Sequence, residues 1–168
     1  AFRGGGYVGT PNPSPYTSNM LDFVQINTLG DAVDFGDLTV ARYVLGACAS
    51  ATRGIIPGGN SNPAFNRTID VITMASEGDA IDFGDLRDVH YEGMGFSSQT
   101  RGFVAGANST PGTIGTGEID YITISTLGNS AGFGDQFETS TWQRACASNA
   151  VRGSVSYTHL TLPTRRFV

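Results

Sequence analysis

Three aspartates stand at even spacing in the stretch GDAVDFGD: Asp31, Asp34 and Asp37. Carboxylates gathered on one short loop can hold Ca²⁺, which takes about six to eight oxygens from converging carboxylates, carbonyls and water. These three are the chain's one candidate metal site, and cation binding is the weaker of two readings of the stretch. His90, beside Tyr91 and Glu92, is the one histidine outside the last fifteen residues. A histidine with no second His or Cys close by makes no zinc site. A catalytic triad would need a positioned Ser and acid, so His90 is expected to face solvent at the end of a sheet. GGGYVG from Gly4 fits G-x-G-x-x-G, but Pro and Ser follow where a nucleotide site needs a helix. No cofactor is expected.

The stronger reading of the aspartate stretch comes from its recurrence. DAVDFGDLTV at Asp31 returns as DAIDFGDLRD at Asp79, and a third copy reads AGFGDQFE from Ala131. In protein kinases the Asp of Asp-Phe-Gly binds Mg²⁺ together with a catalytic loop and a glycine-rich loop. The catalytic-loop signature has no counterpart here, and the third copy replaces the Asp by Gly132. A structural role follows: Phe35, Phe83 and Phe133 plug the packing between units and the glycine permits a tight bend. Asp37, Asp85 and Asp135 are expected to accept backbone hydrogen bonds in a turn.

Three anchors step together along the chain. The Phe-Gly-Asp triplets begin at Phe35, Phe83 and Phe133, spacings of 48 and 50. The apolar segments LDFVQI, IDVITM and IDYITI begin at Leu21, Ile69 and Ile119, again 48 and 50. Arg-Gly pairs occur at Arg3, Arg53, Arg101 and Arg152, spacings of 50, 48 and 51. A fixed period of this size marks a repeat architecture. Each unit reads as an Arg-Gly strand ending in glycines, a polar loop, an alternating apolar strand, the Phe-Gly-Asp strand, and a small-residue run such as Gly46–Ala49. The counterparts of that run are taken as Gly93–Phe96 and Arg144–Ala147. With 23 Gly, 7 Pro and no Lys in 168 residues, turns and strands are favoured over helices. A net charge of −5 and the lack of a basic cluster before the last residues argue against nucleic acid. No apolar run approaches the roughly 18 residues of a membrane helix, so membrane insertion is not expected.

This order of elements resembles the kelch family, in which a small-residue strand precedes a strand ending in Gly-Gly, here Gly58-Gly59. The resemblance implies an all-β, kelch-like β-propeller fragment of about three four-stranded blades in an open arc. Residues 1–153 would form the blades, with repeats 3–52, 53–100 and 101–151 and the start of a fourth at 152. An arc leaves two terminal faces uncovered, an aggregation hazard. In a propeller the strands nearest the axis crowd, so small-residue runs suit them, and Ala47 is expected to resist enlargement. Residues 154–168 break the repeat. VSYTHLTLPT, from Val155 to Thr164, resembles a translated sequencing-library adapter, so 154–168 are read as a non-native read-through tail. Segments like IDYITISTLGNS also resemble kelch-like repeats of virion proteins of tailed phages, often marine.

That resemblance implies a non-enzymatic structural or interaction module of a virion or tail-associated protein, located in the virion or outside the cell. Its partners would be other virion proteins, or a glycan or protein on the host surface. The loops TPNPSPYTSN, NSNPAFNRT and ANSTPGTIGTGE carry the amides, hydroxyls and aromatics suited to such contact. The candidate binding residues are Tyr16, Asn19, Asn62, Phe65, Asn66 and Asn108, with His90 and Trp142 added because they depart from the repeat. The alternative is a fragment of a propeller enzyme, an oxidase or a glycan-active protein, with its site on a blade face. The recurring arginines are expected to make a salt bridge or a backbone contact once per blade, with Asp22, Asp70 or Asp120 as the acidic partners. Cys48 and Cys146, one repeat apart from adjacency, are expected to stay unbridged.

Overall fold

The computed structural model describes residues 1–7, 16–43, 45–61, 63–90, 93–107, 116–136 and 145–156. The fold is all-β: thirteen strands in four antiparallel sheets, with no helix among the described residues. Sheet 1 holds β1 (Phe2–Tyr7), β2 (Thr17–Phe23) and β3 (Val33–Asp37). Sheet 2 holds β4 (Cys48–Ala49), β5 (Arg53–Pro57), β6 (Thr68–Thr73) and β7 (Ile81–Asp85). Sheet 3 repeats it with β8 (Met94–Ser97), β9 (Arg101–Ala107), β10 (Thr116–Thr123) and β11 (Ala131–Asp135). Sheet 4 comprises β12 (Ala145–Ser148) and β13 (Gly153–Ser156).

The Phe-Gly-Asp triplet is a β-bulge. Ile69 pairs with Gly84 and Asp70 with Asp82, so Phe83 is the extra residue between them. The same skip leaves out Phe35 between β2 and β3, and Phe133 between β10 and β11. A bulge re-aims the side chain of the inserted residue, and Phe35 and Phe83 go into the core. The following glycine has φ of +145° at Gly36 and Gly84, a conformation open to few side chains. The turn bond is made by the aspartate before the phenylalanine: Asp34 Oδ1 accepts the Gly36 N–H (3.2 Å) and Asp82 Oδ1 accepts that of Gly84 (3.0 Å). This corrects the assignment of that role to Asp37 and Asp85, which contribute their backbone instead.

Those backbones join one sheet to the next. The N–H groups of Gly78 and Ala80, in the turn before β7, donate to the carbonyls of Phe35 and Asp37 (both 2.8 Å). Asp79 Oδ1 accepts the Asp37 N–H (3.0 Å). One repeat later, Gly128 and Ser130 donate to Phe83 (2.8 Å) and Asp85 (2.9 Å), and Asn129 Oδ1 accepts the Asp85 N–H (3.0 Å). The outer edges of β3 and β7 are thus covered by the next sheet.

Side chains fill the two junctions according to strand alternation. Ile56 of β5 and Ile72 of β6 pack with Leu21, Phe35 and Leu38 toward sheet 1. Ile55, Ile69 and Val71, on the opposite face of the same two strands, pack with Phe83, Val104, Ile122 and Ile124 toward sheet 3. Sheet 2 is therefore buried on both faces, which explains the run of four buried residues along β6.

The short strands β4, β8 and β12 pass close together, linked by serines. Ser97 Oγ donates to the Ala49 carbonyl (2.7 Å), and Ser148 Oγ to the Ser97 carbonyl (2.8 Å). The crowding acts on backbone: a Cβ added at Gly95 would run into the Ala47 carbonyl, while Ala47 itself is exposed. An enlarged Ala47 is therefore expected to be accommodated, contrary to the sequence expectation, with Gly95 the more sensitive position. The pairing also shifts the alignment of the small-residue runs. Ala49 lies opposite Gly54, Ser97 opposite Gly102 and Ser148 opposite Gly153. The counterparts of Gly46–Ala49 are thus residues 94–97 and 145–148, one residue later than their letters imply. The matching ACAS strings at Cys48 and Cys146 are out of register by that one residue, a slip that turns a strand side chain to the other face. Neither cysteine is in a disulfide, as expected, and burial pushes the Cys48 thiol pKa up to about 12.

Candidate functional site

Two kinds of polar or aromatic clusters stand out, one inside the junctions and one at an end of the sheets. In the first junction Asp70, at the middle of β6, is fully buried, and so is Arg42. Their ion pair is 2.7 Å long. Arg42 also donates to the carbonyls of Gly58 (2.6 Å), Thr68 (2.7 Å) and Ile56 (3.0 Å). Thr39 donates to Asp70 through its N–H (3.1 Å) and hydroxyl (2.5 Å). Burial lowers the Arg42 pKa, and Asp70 pulls it back up.

The second junction places other residues on the same frame. Asp120, the counterpart of Asp70, is fully buried and accepts from Arg87 Nε (2.8 Å) and Ser130 Oγ (2.7 Å). His90 occupies the place of Arg42, with Nε2 3.8 Å from Asp120 Oδ2. It is 2% exposed, so the expectation of a solvent-facing histidine is overturned. Its Nδ1 has no hydrogen-bond partner among the described residues. Burial pushes the His90 pKa below its ordinary value, while Asp120, Asp88, Glu118 and the Gly106 backbone pull the other way. Ser130, Asp120 and His90 do not form a nucleophile triad. The hydroxyl is bonded to the carboxylate itself, and a triad needs the imidazole between them.

The repeating arginines take different partners. Arg3 pairs with Asp22 (3.0 Å), Arg53 donates to the Ile124 carbonyl (2.9 Å), and Arg101 lies 5.0 Å from the Tyr121 ring centre. Asp70 and Asp120 take their cations from the preceding repeat, which corrects the expected pairing within each unit.

Among the described residues no group of three or more His, Cys, Asp or Glu is placed to hold a metal ion, Asp31, Asp34 and Asp37 included. An open groove of about 610 Å³ lies where β1 faces β4, lined mainly by small and aliphatic groups such as Gly4, Ala47, Ile56 and Met74.

The second cluster lies at the glycine-rich ends of β1 and β5. Tyr16 stacks on Tyr7 with ring centres 5.7 Å apart and 13° between planes, and Tyr43 meets Tyr7 edge-on at 5.4 Å. Tyr43 exchanges both backbone hydrogen bonds with Asn60 (2.9 and 3.0 Å), and Asn60 bridges on to Phe65. The Asn66 N–H donates to the Gly59 carbonyl (2.8 Å), and its side-chain Nδ2 has no partner among the described residues. Gly59, at φ +100°, makes this approach possible, since a Cβ there would lie 2.9 Å from the Tyr43 carbonyl. Tyr16, Phe65 and Asn66 are thus brought onto one strip. Asn19 lies apart in β2, where its carbonyl accepts the Leu38 N–H (2.7 Å). Asn62, Asn108 and Trp142 lie outside the described residues. Tyr7 and Tyr43 complete the strip and escaped sequence reasoning; the signal at Tyr7 was its place directly after the glycine run Gly4–Gly6, and Tyr43 carried none. No protein-family model matches the chain, and no curated protein matches it.

Proposed function

We propose that the chain is a kelch-like arc of propeller blades serving as a non-enzymatic structural and interaction module. By resemblance its setting is a virion or tail-associated protein, in the virion or outside the cell, touching other virion proteins or a host-surface glycan or protein. The observation that carries the binding part is the Tyr16–Tyr7–Tyr43 strip running into Asn60, Phe65 and Asn66. Tyr7 is 59% exposed, and a large aromatic held face-on to a second ring offers a flat apolar platform. Such a platform suits a sugar, which has an apolar face and a rim of hydroxyls. The acidic groups inside the junctions are occupied in holding sheets together, which favours a scaffold with a surface site.

A glycan array probed with the full chain tests this reading. Binding to a sugar class that is lost in Tyr7→Ala and Tyr16→Ala, with the β-sheet circular dichroism retained, is the expected result. Binding to no glycan and to no cell surface would sink it.

A further inference from the structure

Sheet 1 and sheet 3 end in complementary halves of a junction that the chain builds twice internally. In the first closed junction the acceptor is Phe35-Gly36-Asp37 and the donor turn is Gly78-Asp79-Ala80. The packing leaves no room for a side chain: a Cβ at Gly36 would lie 2.5 Å from the Gly78 backbone, and one at Gly84 2.6 Å from Gly128. On β11 the same acceptor, Phe133-Gly134-Asp135, stands open. Among the described residues nothing lies within 4 Å of a Cβ at Gly134, and Phe133 is 56% exposed, where Phe35 and Phe83 are 5% and 3%. At the other end, the turn before β3 carries Gly30-Asp31-Ala32, the same three residues as the donor turn at Gly78, and all three are exposed.

We propose that two copies of the chain associate head to tail, the Gly30–Ala32 turn of one docking on the β11 edge of the other. The Gly30 and Ala32 N–H groups donate to the Phe133 and Asp135 carbonyls, and the Asp31 carboxylate accepts the Asp135 N–H. Sheet 1 of the incoming copy takes the place of β13 beside β12. Its β1 carries the same Arg-Gly pair, Arg3-Gly4, as Arg152-Gly153, and has no strand on its inner edge among the described residues. The composite sheet then has four strands, β12 from one copy and β1, β2 and β3 from the other, the content of sheets 2 and 3. The contact joins two different surfaces, so it propagates into a ring or an open chain of copies.

The test is sedimentation of the full chain over a range of concentrations, alone and in mixtures. Gly134→Val fills the acceptor and Ala32→Pro removes a donor N–H. The wild type is expected to associate as concentration rises, each variant alone to associate at least about tenfold more weakly, and an equimolar mixture of the two to regain a dimer through its one intact pair of surfaces. A wild type that stays monomeric, variants that associate as well as the wild type, or a mixture that stays monomeric would overturn the proposal. Should either variant fail to fold, hydrogen exchange on the wild type decides: the Gly30 and Ala32 amides slow as concentration rises, and exchange independent of concentration overturns it.

Discussion

The two closed junctions share a backbone frame and differ in the chemistry at their centres. Both bury an aspartate at the middle of the central strand, and both bring a basic group to it from the preceding repeat. In the first that group is Arg42, fully buried, bonded to Asp70 and to three carbonyls. In the second the position belongs to His90, while Arg87, with its side chain 44% exposed, reaches Asp120 from the surface and Ser130 supplies a hydroxyl. The contrast separates what the fold requires from what it tolerates. The requirement is a buried carboxylate with its oxygens satisfied, since an unpaired buried charge is costly. The identity of the donors is free, provided their number suffices. The exchange also makes one junction titratable and leaves the other fixed.

Breaking the fixed junction should have the largest effect. Arg42→Met leaves Asp70 buried without its cation, which is expected to cost about 3–5 kcal/mol in urea unfolding. Changing both partners, with Asp70→Leu added, should recover most of that loss. A result in which the double variant is as unstable as the single one would mean that Arg42 acts mainly through the three carbonyls. Next in size is a contrast between closed and open edges. Gly36→Ala places a methyl against the Gly78 backbone, whereas Gly134→Ala, at a similar φ, meets none of the described residues. Measured on dilute monomer, the first should cost about 1–3 kcal/mol more than the second.

The titratable junction gives a pH dependence with a definite sign. The folded-state pKa of His90 lies below its unfolded value, so the neutral form is favoured on folding. Its contribution is fully present above the unfolded pKa of about 6.5 and is lost as pH falls through the folded value, by about 1.4 kcal/mol for each unit of depression. His90→Phe should flatten that part of the profile, read from the urea midpoint at a series of pH values. A profile unchanged by the substitution would place the sensitivity elsewhere. Smallest is Ser130→Ala, expected to cost about 1–2 kcal/mol, because the hydroxyl both donates to Asp120, which keeps Arg87, and accepts the Arg87 N–H.

The period and the strand content were legible in the sequence because both are written in local patterns: glycine-ended strands, alternating apolar residues and a triplet that recurs at near-constant spacing. The bulge at Phe35, Phe83 and Phe133 was legible only as a packing plug, since pairing register is a property of two strands at once. The ACAS strings misled for the same reason. Letters matched while the hydrogen-bonded partners lay one residue on. His90 was misplaced because its burial depends on Asp120, thirty residues away on another sheet. The candidate strip was half visible: Tyr16, Phe65 and Asn66 stood out as loop residues, but Tyr7 and Tyr43 join them only through the close approach at Gly59.

Amide hydrogen exchange read residue by residue on dilute monomer tests most directly whether each outer strand is covered by the turn of the next sheet. The expected result is slow exchange at Gly78, Ala80, Gly128 and Ser130, comparable with the strands they precede, and fast exchange at the equivalent Gly30 and Ala32. Fast exchange at Gly78 and Ala80 while β6 and β7 stay protected would contradict it.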